Sequence, residues 1–309
     1  MNSDWQKDYP LVLNLNETDL DENSSLKKML HLIGENKRVL DVGCATGYLA
    51  RLLTKRECQV TGVEVNQEAA EVAKQYCEQV VVADLDFVSL PKALPNQTFD
   101  VVVFGDVLEH LRDPWRVLEE TRQLLQPEGY VVVSVPNIAH GAIRLALLEG
   151  RFEYMRLGIL DDTHLRFFTR KTVEELFERS GYFIDVIDRT KLPIFSDSSW
   201  VPHIERNAFD NEIVQLVEQE GEADTFQFVV RAFLSIEGKY AALNKQYSKL
   251  VDKLNNSQLQ LQQTQAESAH FQSQLQHTQA ESAHFQAQLQ HTQAESAHIQ
   301  AQLQLTQAE

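Results

Sequence analysis

Glycines and a carboxylate follow the first strongly apolar run of the sequence. Residues 39–47 read VLDVGCATG, so Asp41 lies inside the run, while Gly43 and Gly47 come just before an amphipathic stretch. Glycine lets a backbone approach a ligand closely, and the amides that open a helix can face a carboxylate or a phosphate. We therefore expect a ligand to bind at this turn.

Acids at the ends of the next two apolar runs offer further polar contacts. Glu64 follows VTGV, where a carboxylate can accept hydrogen bonds from both hydroxyls of a ribose. Asp84, in VVADLDF, could accept from an adenine amino group, or it could be an ordinary turn carboxylate. A dinucleotide fingerprint would have glycines where the chain has Ala45 and Tyr48. The pattern thus favours a nucleoside without a pyrophosphate over a nicotinamide dinucleotide.

Four histidines near the ends of apolar runs are candidates for a general base. His164 lies in DDTHLRFF, where a neighbouring carboxylate can orient an imidazole and raise its basicity. His140 follows the fifth apolar run, close to the expected ligand. We therefore place His164 and His140 ahead of His110 and His203, with a structural role as the alternative for each.

A possible metal site and a possible nucleophile lie in the same region. Asp106, Glu109 and His110 have i, i+3, i+4 spacing, which would put them on one face of a helix, where a divalent ion could lower the pKa of a hydroxyl. Helix capping by Asp106 with local hydrogen bonds is the favoured alternative, so we assign no metal ligand. Cys44, beside Gly43, is interpreted as a small pocket-lining residue.

Several arginines fall in the segment after the fifth run. An anionic group on a substrate could meet one of them, although solvated surface arginines are the commoner outcome and acids nearly balance them. The four are Arg144, Arg151, Arg156 and Arg166.

Alternating apolar runs and amphipathic stretches must position these residues. Several runs are too apolar for a sheet with only one buried face, which indicates parallel strands buried on both faces. Their alternation with helices predicts a doubly wound α/β sheet over residues 1–235. The segments Asn137–Phe168 and Arg189–Asp224 lack strand character and would cover a substrate. The predicted strands are Arg38–Val42, Gln59–Val63, Val80–Ala83, Asp100–Phe104, Tyr130–Val135, Tyr182–Ile187 and Phe226–Leu234. The predicted helices are Leu26–Ile33, Tyr48–Lys55, Gln67–Tyr76, Trp115–Leu125 and Lys171–Ser180.

Five motifs in order carry a family resemblance. VLDVGCATG, GVEVN, VVADLDF, FDVVVFGDVLEHL and LLQPEGYVVVSVPN resemble the successive motifs of class I S-adenosylmethionine-dependent methyltransferases, over about residues 24–235. The resemblance implies a Rossmann-like, seven-stranded sheet whose last strand is antiparallel. It also implies S-adenosylmethionine as cofactor, with Glu64 on its ribose, Asp84 and Leu85 beside its adenine, and Asp106 near its methionine. The residues shaping that pocket would be Asp41, Gly43, Cys44 and Gly47.

The same resemblance extends to the chemistry. DVLEHL is similar to ubiquinone-type O-methyltransferases, and residues 136–169 resemble, more loosely, methyltransferases from bacterial polysaccharide-assembly clusters. We therefore expect methyl transfer to an oxygen of a small molecule, sugar or lipid-linked glycan. A catalytically degenerate fold acting as a scaffold is the first alternative, and an NAD-dependent dehydrogenase is the second.

Composition excludes other classes. The chain has 45 Asp and Glu against 28 Lys and Arg, a formal charge of −17, which repels the phosphates of nucleic acid and anionic lipid. No apolar stretch approaches the roughly 20 residues that span a bilayer. Three cysteines fit neither a disulfide framework nor a CxxC metal site. We therefore expect a cytoplasmic protein without a nucleic-acid partner or a transmembrane segment.

The C-terminal part, residues 239–309, differs from the rest of the chain in composition. From Leu261 the sequence repeats every 14 residues, which is two heptads, and no Lys or Arg follows Lys253. The repeat predicts a long helix and a weak coiled coil, through which the chain would form a homo-oligomer or bind a partner protein; a partly helical low-complexity tail is the open alternative. Five histidines, one per heptad, lie roughly 10 Å apart along such a helix, too far to share an ion. They are His270, His277, His284, His291 and His298.

Overall fold

The computed structural model describes residues 16–235 and, further on, helical residues 251, 254–265, 268, 272, 279, 286–290 and 292–296. The chain divides into two compact units, Met1–Gly238 and Lys239–Glu309. Among the described residues, none of the helices combines the length and apolar character needed to span a bilayer.

A seven-stranded mixed sheet forms the centre of the first unit. Its strands are β1 Arg38–Val42, β2 Gln59–Glu64, β3 Gln79–Val82, β4 Phe99–Gly105, β5 Leu125–Pro136, β6 Tyr182–Lys191 and β7 Thr225–Leu234. They are ordered β3-β2-β1-β4-β5-β7-β6, and β7 runs antiparallel to both of its neighbours. The expected seven-stranded sheet with an antiparallel last strand is thus confirmed. Its order reverses between β1 and β4, where ligands bind in such folds.

Within residues 16–235, eight α-helices accompany the sheet. They are α1 Ser25–Ile33, α2 Tyr48–Thr54, α3 Gln67–Ala73, α4 Leu90–Ala93, α5 Pro114–Thr121, α6 Gly141–Leu148, α7 Arg170–Arg179 and α8 Asn211–Glu218. Successive residues of β4 pack on opposite faces: Val102 and Phe104 join one buried cluster, while Val101 and Val103 join another. Because side chains alternate along a strand, an uninterrupted apolar run fills both cores at once.

The end of α5 differs from the sequence prediction. The predicted helix ran to Leu125, but α5 ends at Thr121 and Leu125 begins β5. Already at Leu124, the backbone carbonyl accepts from the Phe99 amide at 2.8 Å. Pairing with β4 therefore overrides the helical pattern of this stretch, because sheet hydrogen bonds and burial outweigh a weak local propensity.

The two segments expected to cover a substrate pack together as a cap. They contribute α6 and α8, which share a third apolar cluster that includes Ile143, Ile194 and Phe226. The start of α6 is tied to the second segment through the Gly141 amide, which donates to the Ala223 carbonyl at 2.8 Å. This cap follows the carboxyl ends of β5 and β6.

The described residues of the second unit are helical, and all of them except the half-buried Val251 are exposed. Thr264 and Thr292 each donate their hydroxyl to the carbonyl four residues earlier, at 3.0 Å. The coiled coil stays a prediction, and the five tail histidines lie outside the described residues.

Candidate functional site

The glycine turn after β1 is built around two left-handed residues that require glycine. Gly43 has φ +72°, and a Cβ there would lie 2.5 Å from Cγ2 of Val107. Gly47 has φ +79°, and its Cβ would lie 3.0 Å from Cα of Ala73. Only glycine combines this backbone with such close neighbours. The turn is held to β2 by the Gly43 amide, which donates to the Val63 carbonyl at 2.7 Å.

Glu64, at the end of β2, ties this turn to the next one. Its buried carboxylate accepts from the Ala45 amide through one oxygen and from the Asn66 amide through the other, each at 2.8 Å. A carboxylate has about four lone-pair positions, so both oxygens can still accept from a diol. Glu64 therefore fits the ribose contact that the resemblance implies.

Asp41 lies beside Glu64, inside the sheet. It is 3% exposed, and its Oδ2 has no hydrogen-bond partner among the described residues. Burial, together with the charge of Glu64, raises the pKa of Asp41 to about 8. A buried acceptor without a donor costs free energy. A cationic ligand group would donate to Oδ2 and would also favour the ionised form of Asp41. The acids at this edge thus fit the amine-bearing, diol-bearing cofactor expected from the sequence.

Asp84 and Leu85 follow β3 at the same edge of the sheet. The Asp84 carboxylate is exposed and accepts from the Asp86 amide at 2.9 Å, which is the turn geometry of the alternative interpretation. Leu85 is buried. An adenine contact by either residue stays a prediction.

Asp106 follows β4 in a left-handed conformation, φ +54°. Its amide donates to the carbonyl and hydroxyl of Ser134, at 3.2 and 3.0 Å, and its Oδ1 accepts from Nε2 of Gln227 at 2.7 Å. Gln227 was missed in the sequence because it lies 121 residues away, on β7. Neighbouring strands thus orient this carboxylate at the reversal point of the sheet.

Glu109, His110 and His164 come together beside Asp106. Each offers one ligand atom, and these atoms lie within 4.8 Å of one another. The helical face predicted for Asp106, Glu109 and His110 is wrong, because Leu108–His110 is a short 3₁₀ turn that starts after the left-handed Asp106. His164, from a distant segment, takes the place of Asp106 in the cluster.

Both imidazoles of this cluster are oriented through Nδ1. His164 Nδ1 lies 3.0 Å from the Ile159 carbonyl, and His110 Nδ1 lies 3.2 Å from the Thr163 carbonyl. A carbonyl only accepts, so Nδ1 carries the proton in each neutral ring and Nε2 carries the lone pair. His164 Nε2 lies 4.0 Å from Oε1 of Glu109, and the two rings meet edge to face at 4.7 Å. Such a set can take a proton or hold a divalent cation.

His140 has a structural position, so the structure does not support it as a base. It is fully buried at the start of α6, where Nδ1 accepts from the Ala142 amide at 3.2 Å and Nε2 donates to the Leu192 carbonyl at 2.9 Å. Both ring nitrogens are therefore engaged with the backbone. Burial also lowers the pKa of His140.

Cys44 packs behind the glycine turn. Its Sγ would lie 2.6 Å from a Cβ on Gly62, and a hydrogen bond with Cys77, followed by burial, raises the pKa of the thiol. A buried thiol with a raised pKa is inert, so Cys44 is not a nucleophile; its predicted place in the lining of the cofactor pocket stays a prediction.

Comparisons with known proteins agree with this architecture. A family model described as "Methyltransferase domain" matches residues 19–185, more than half of the chain. A ubiquinone biosynthesis O-methyltransferase of Histophilus somni is 33% identical over 135 residues, which are 41% of this chain and 56% of that protein. One of Cereibacter sphaeroides is 29% identical over 171 residues, 54% and 67% of the two chains. The match to the Histophilus protein thus spans just over half of that relative's length.

A solved structure is also similar. A SAM-dependent methyltransferase of Thermotoga maritima, described as a possible histamine N-methyltransferase, has a TM-score of 0.47 and 20% identity, over 68% of this chain and 86% of that one. The family model, which covers residues 19–185, decides the assignment. The chain belongs to the class I S-adenosylmethionine-dependent methyltransferases.

Proposed function

We propose that this protein transfers a methyl group from S-adenosylmethionine to an oxygen of a small molecule, a sugar or a lipid-linked glycan. The observation that carries the proposal is the cluster of Glu109, His110 and His164. It lies beside the edge of the sheet where Asp41 and Glu64 are found, which we call the cofactor edge. The names of the curated relatives, ubiquinone biosynthesis O-methyltransferases at about 30% identity, point the same way.

The cluster favours an oxygen acceptor for a chemical reason. The bound cofactor supplies an electrophilic sulfonium methyl, so the protein has only to align the acceptor and remove its proton. A neutral amine needs no base for its attack, whereas a hydroxyl is a weak nucleophile until its proton is lost. A paired carboxylate and imidazole can remove that proton, which is why the cluster favours an oxygen acceptor.

His164 is the group we assign as the base. The Ile159 carbonyl holds the proton on Nδ1, so Nε2 is the atom that would take the acceptor's proton. Glu109, 4.0 Å from Nε2, would stabilise the imidazolium that forms. His164 is 8% exposed, so little water competes for Nε2.

A bound divalent cation is the second candidate for activating the acceptor. The same three side chains could hold it, with both histidines oriented by carbonyls in the manner of metal ligands. A cation there would lower the pKa of the acceptor hydroxyl. Exhaustive chelation distinguishes the two candidates: turnover persists if His164 is the base, and it is lost and restored by added Mg²⁺ or Mn²⁺ if a cation is required.

Labelled methyl transfer tests the function and the base together. The purified protein is incubated with cell extract and methyl-labelled cofactor, and the labelled product is identified by mass spectrometry. With that acceptor, His164→Ala is expected to lower kcat by about 100-fold or more while the cofactor Kd changes less than about twofold, because proton removal is lost and the cofactor contacts are not.

His203→Ala is the matched control, because His203 is an exposed cap histidine 3.6 Å from Asp197. Equal turnover in His164→Ala and the wild type would remove His164 from the mechanism. A protein that binds no cofactor would instead support the scaffold alternative, and one purified with NADH and without affinity for S-adenosylhomocysteine would support the dehydrogenase.

A further inference from the structure

A small pocket separate from the cofactor edge lies between α5, α7 and the segment 166–168. It encloses about 150 Å³, and its polar lining comes chiefly from Trp115, Arg166, Thr172, Glu175 and Arg179. Its charged side chains are two arginines and one glutamate, and the indole of Trp115 adds one N–H donor.

The two arginines of this pocket have no carboxylate partner within residues 16–235. Arg166 donates to the backbone carbonyls of Leu165 and Arg112, and the Cζ of Arg179 lies 5.6 Å from the centre of the Trp115 ring. Most other arginines of the same range form ion pairs, such as those with Glu120, Glu218 and Asp185. Both side chains are exposed and carry positive charge in a chain whose formal charge is −17, so an anionic ligand from solvent can reach them.

Trp115 provides a second, independent observation. Its Nε1 atom is buried and has no hydrogen-bond partner among the described residues. An unsatisfied buried donor costs roughly 1–3 kcal/mol. A ligand with only acceptor atoms would satisfy the indole and neutralise the guanidinium groups together.

We propose that this pocket binds an oxyanion, either a phosphate monoester or a carboxylate. Arginine forks match both groups in geometry and charge, and the volume admits one such group. Glu175 lies one turn before Arg179 on α7. Its negative charge repels a bound anion and so lowers the affinity of the pocket.

The pocket is adjacent to the proposed acceptor site. The amides of Leu165 and Arg166 donate to the Glu109 carbonyl at 2.8 and 2.9 Å, and the Phe167 ring lies 6.3 Å from that of His164. An acceptor whose hydroxyl reaches His164 could therefore place an anionic group here; this step rests on the proposed function. A free phosphate is the other source of the same chemistry.

Tryptophan fluorescence of the full chain tests the binding. Inorganic phosphate is titrated against KCl of equal ionic strength, and Trp115→Phe identifies the contribution of this ring among the three tryptophans. We expect saturable quenching in the wild type. Arg166→Gln and Arg179→Gln should each weaken binding about tenfold, whereas Glu175→Gln should tighten it about two- to threefold because a like charge is removed.

Matched controls keep the test specific. Arg38→Gln removes an arginine that also lies over an aromatic ring, at Phe99, but lines no part of the pocket. Glu178→Gln removes a charge from the same helix outside the pocket. A response without saturation, or equal affinity in Arg179→Gln and Arg38→Gln, would overturn the proposal. Damage to the fold cannot imitate it, because one variant must gain affinity.

A second arm identifies the source of the oxyanion. Labelled methyl transfer into cell extract is compared before and after phosphatase treatment. Loss of the labelled product assigns the site to a phosphate on the acceptor, and an unchanged product assigns it to a carboxylate or to free phosphate. Phosphate binding without any methyl transfer would contradict the proposed function and leave the pocket assignment standing.

Discussion

At the scale of single residues, the cofactor edge concentrates buried carboxylates. Asp41 and Glu64 are each 3% exposed and sit on neighbouring parallel strands. Glu64 is satisfied by two backbone amides, whereas Oδ2 of Asp41 has no partner among the described residues. A buried pair of carboxylates lowers the stability of the fold, and a cationic ligand group beside it would offset that cost.

The free energy of unfolding should reveal the buried carboxyl of Asp41. Its pKa of about 8 in the folded protein exceeds the ordinary 3.8, so the fold keeps a proton that the unfolded chain has released. Rising pH between those values therefore favours unfolding. Asp41→Asn should remove this dependence, so that between pH 5.5 and 8 the wild type loses about 3 kcal/mol more than the variant.

Urea denaturation at several pH values measures this difference. Asp162→Asn, at an exposed position, is the control. Parallel pH profiles for Asp41→Asn and the wild type would contradict the assignment.

Cofactor affinity should depend on Glu64. Glu64→Gln replaces one acceptor oxygen by an amide that faces a backbone N–H and also removes a charge from the ribose site, so we expect the Kd for S-adenosylhomocysteine to rise at least about tenfold. Isothermal titration calorimetry measures it, with exposed Glu68→Gln as the comparison. An affinity within twofold of the wild type would place the ribose elsewhere.

At the scale of elements, the start of α6 joins the two cap segments. His140 caps this helix and donates to Leu192 across 52 residues, while Gly141 lies against Ile194, which would be 2.7 Å from a Cβ there. His140 thus stabilises the start of α6 with one ring nitrogen and links the two cap segments with the other.

The stability of the cap should respond to His140. We expect His140→Ala to lower the free energy of unfolding by about 2 kcal/mol at pH 7, and His140→Asn to restore part of it because Asn can cap the helix. The lowered pKa of His140 means that the unfolded chain takes up the proton first, so its stabilising contribution is lost as the pH falls below about 6.5.

Thermal denaturation at pH 5.5 and 7.5 follows both effects. Turnover should stay near the wild-type value in His140→Asn. A large loss of kcat with unchanged stability would return His140 to the mechanism.

At the scale of the whole molecule, the two units differ in composition. The first carries the sheet, the cap and the proposed sites, and the second repeats a Gln-rich 14-residue pattern without basic residues after Lys253. With Leu261 at an a position of the heptad repeat, half of the a and d positions hold Ser or Thr, which indicates weak association.

Truncation after residue 237 should separate these roles. We expect the shortened chain to fold and to bind the cofactor like the full chain, but to form smaller oligomers, because the predicted coiled coil is removed. Light scattering after size-exclusion chromatography measures the mass of both. The same mass for the two chains would contradict the coiled coil.

The sequence by itself determined the sheet and the glycine turn that follows β1. Strand β1 has the bounds predicted from its apolar run, and Gly43 and Gly47 have the left-handed backbone of the predicted turn. Glu64 is the last residue of β2, one residue beyond the predicted end of that strand. These features depend on local sequence. Apolar runs form buried strands, and glycine allows the left-handed backbone that the turn after a strand adopts here.

Only the tertiary structure decided which distant polar groups meet. In the folded chain His164, and not Asp106, lies in the cluster with Glu109. Asp106 accepts a hydrogen bond from Gln227, 121 residues away, and His140 caps helix α6. No spacing along the chain encodes these contacts, because they depend on the order of the strands and on how the cap folds over them. Polar pairs of this kind form where the packed backbone brings them together, after the apolar pattern has fixed that backbone.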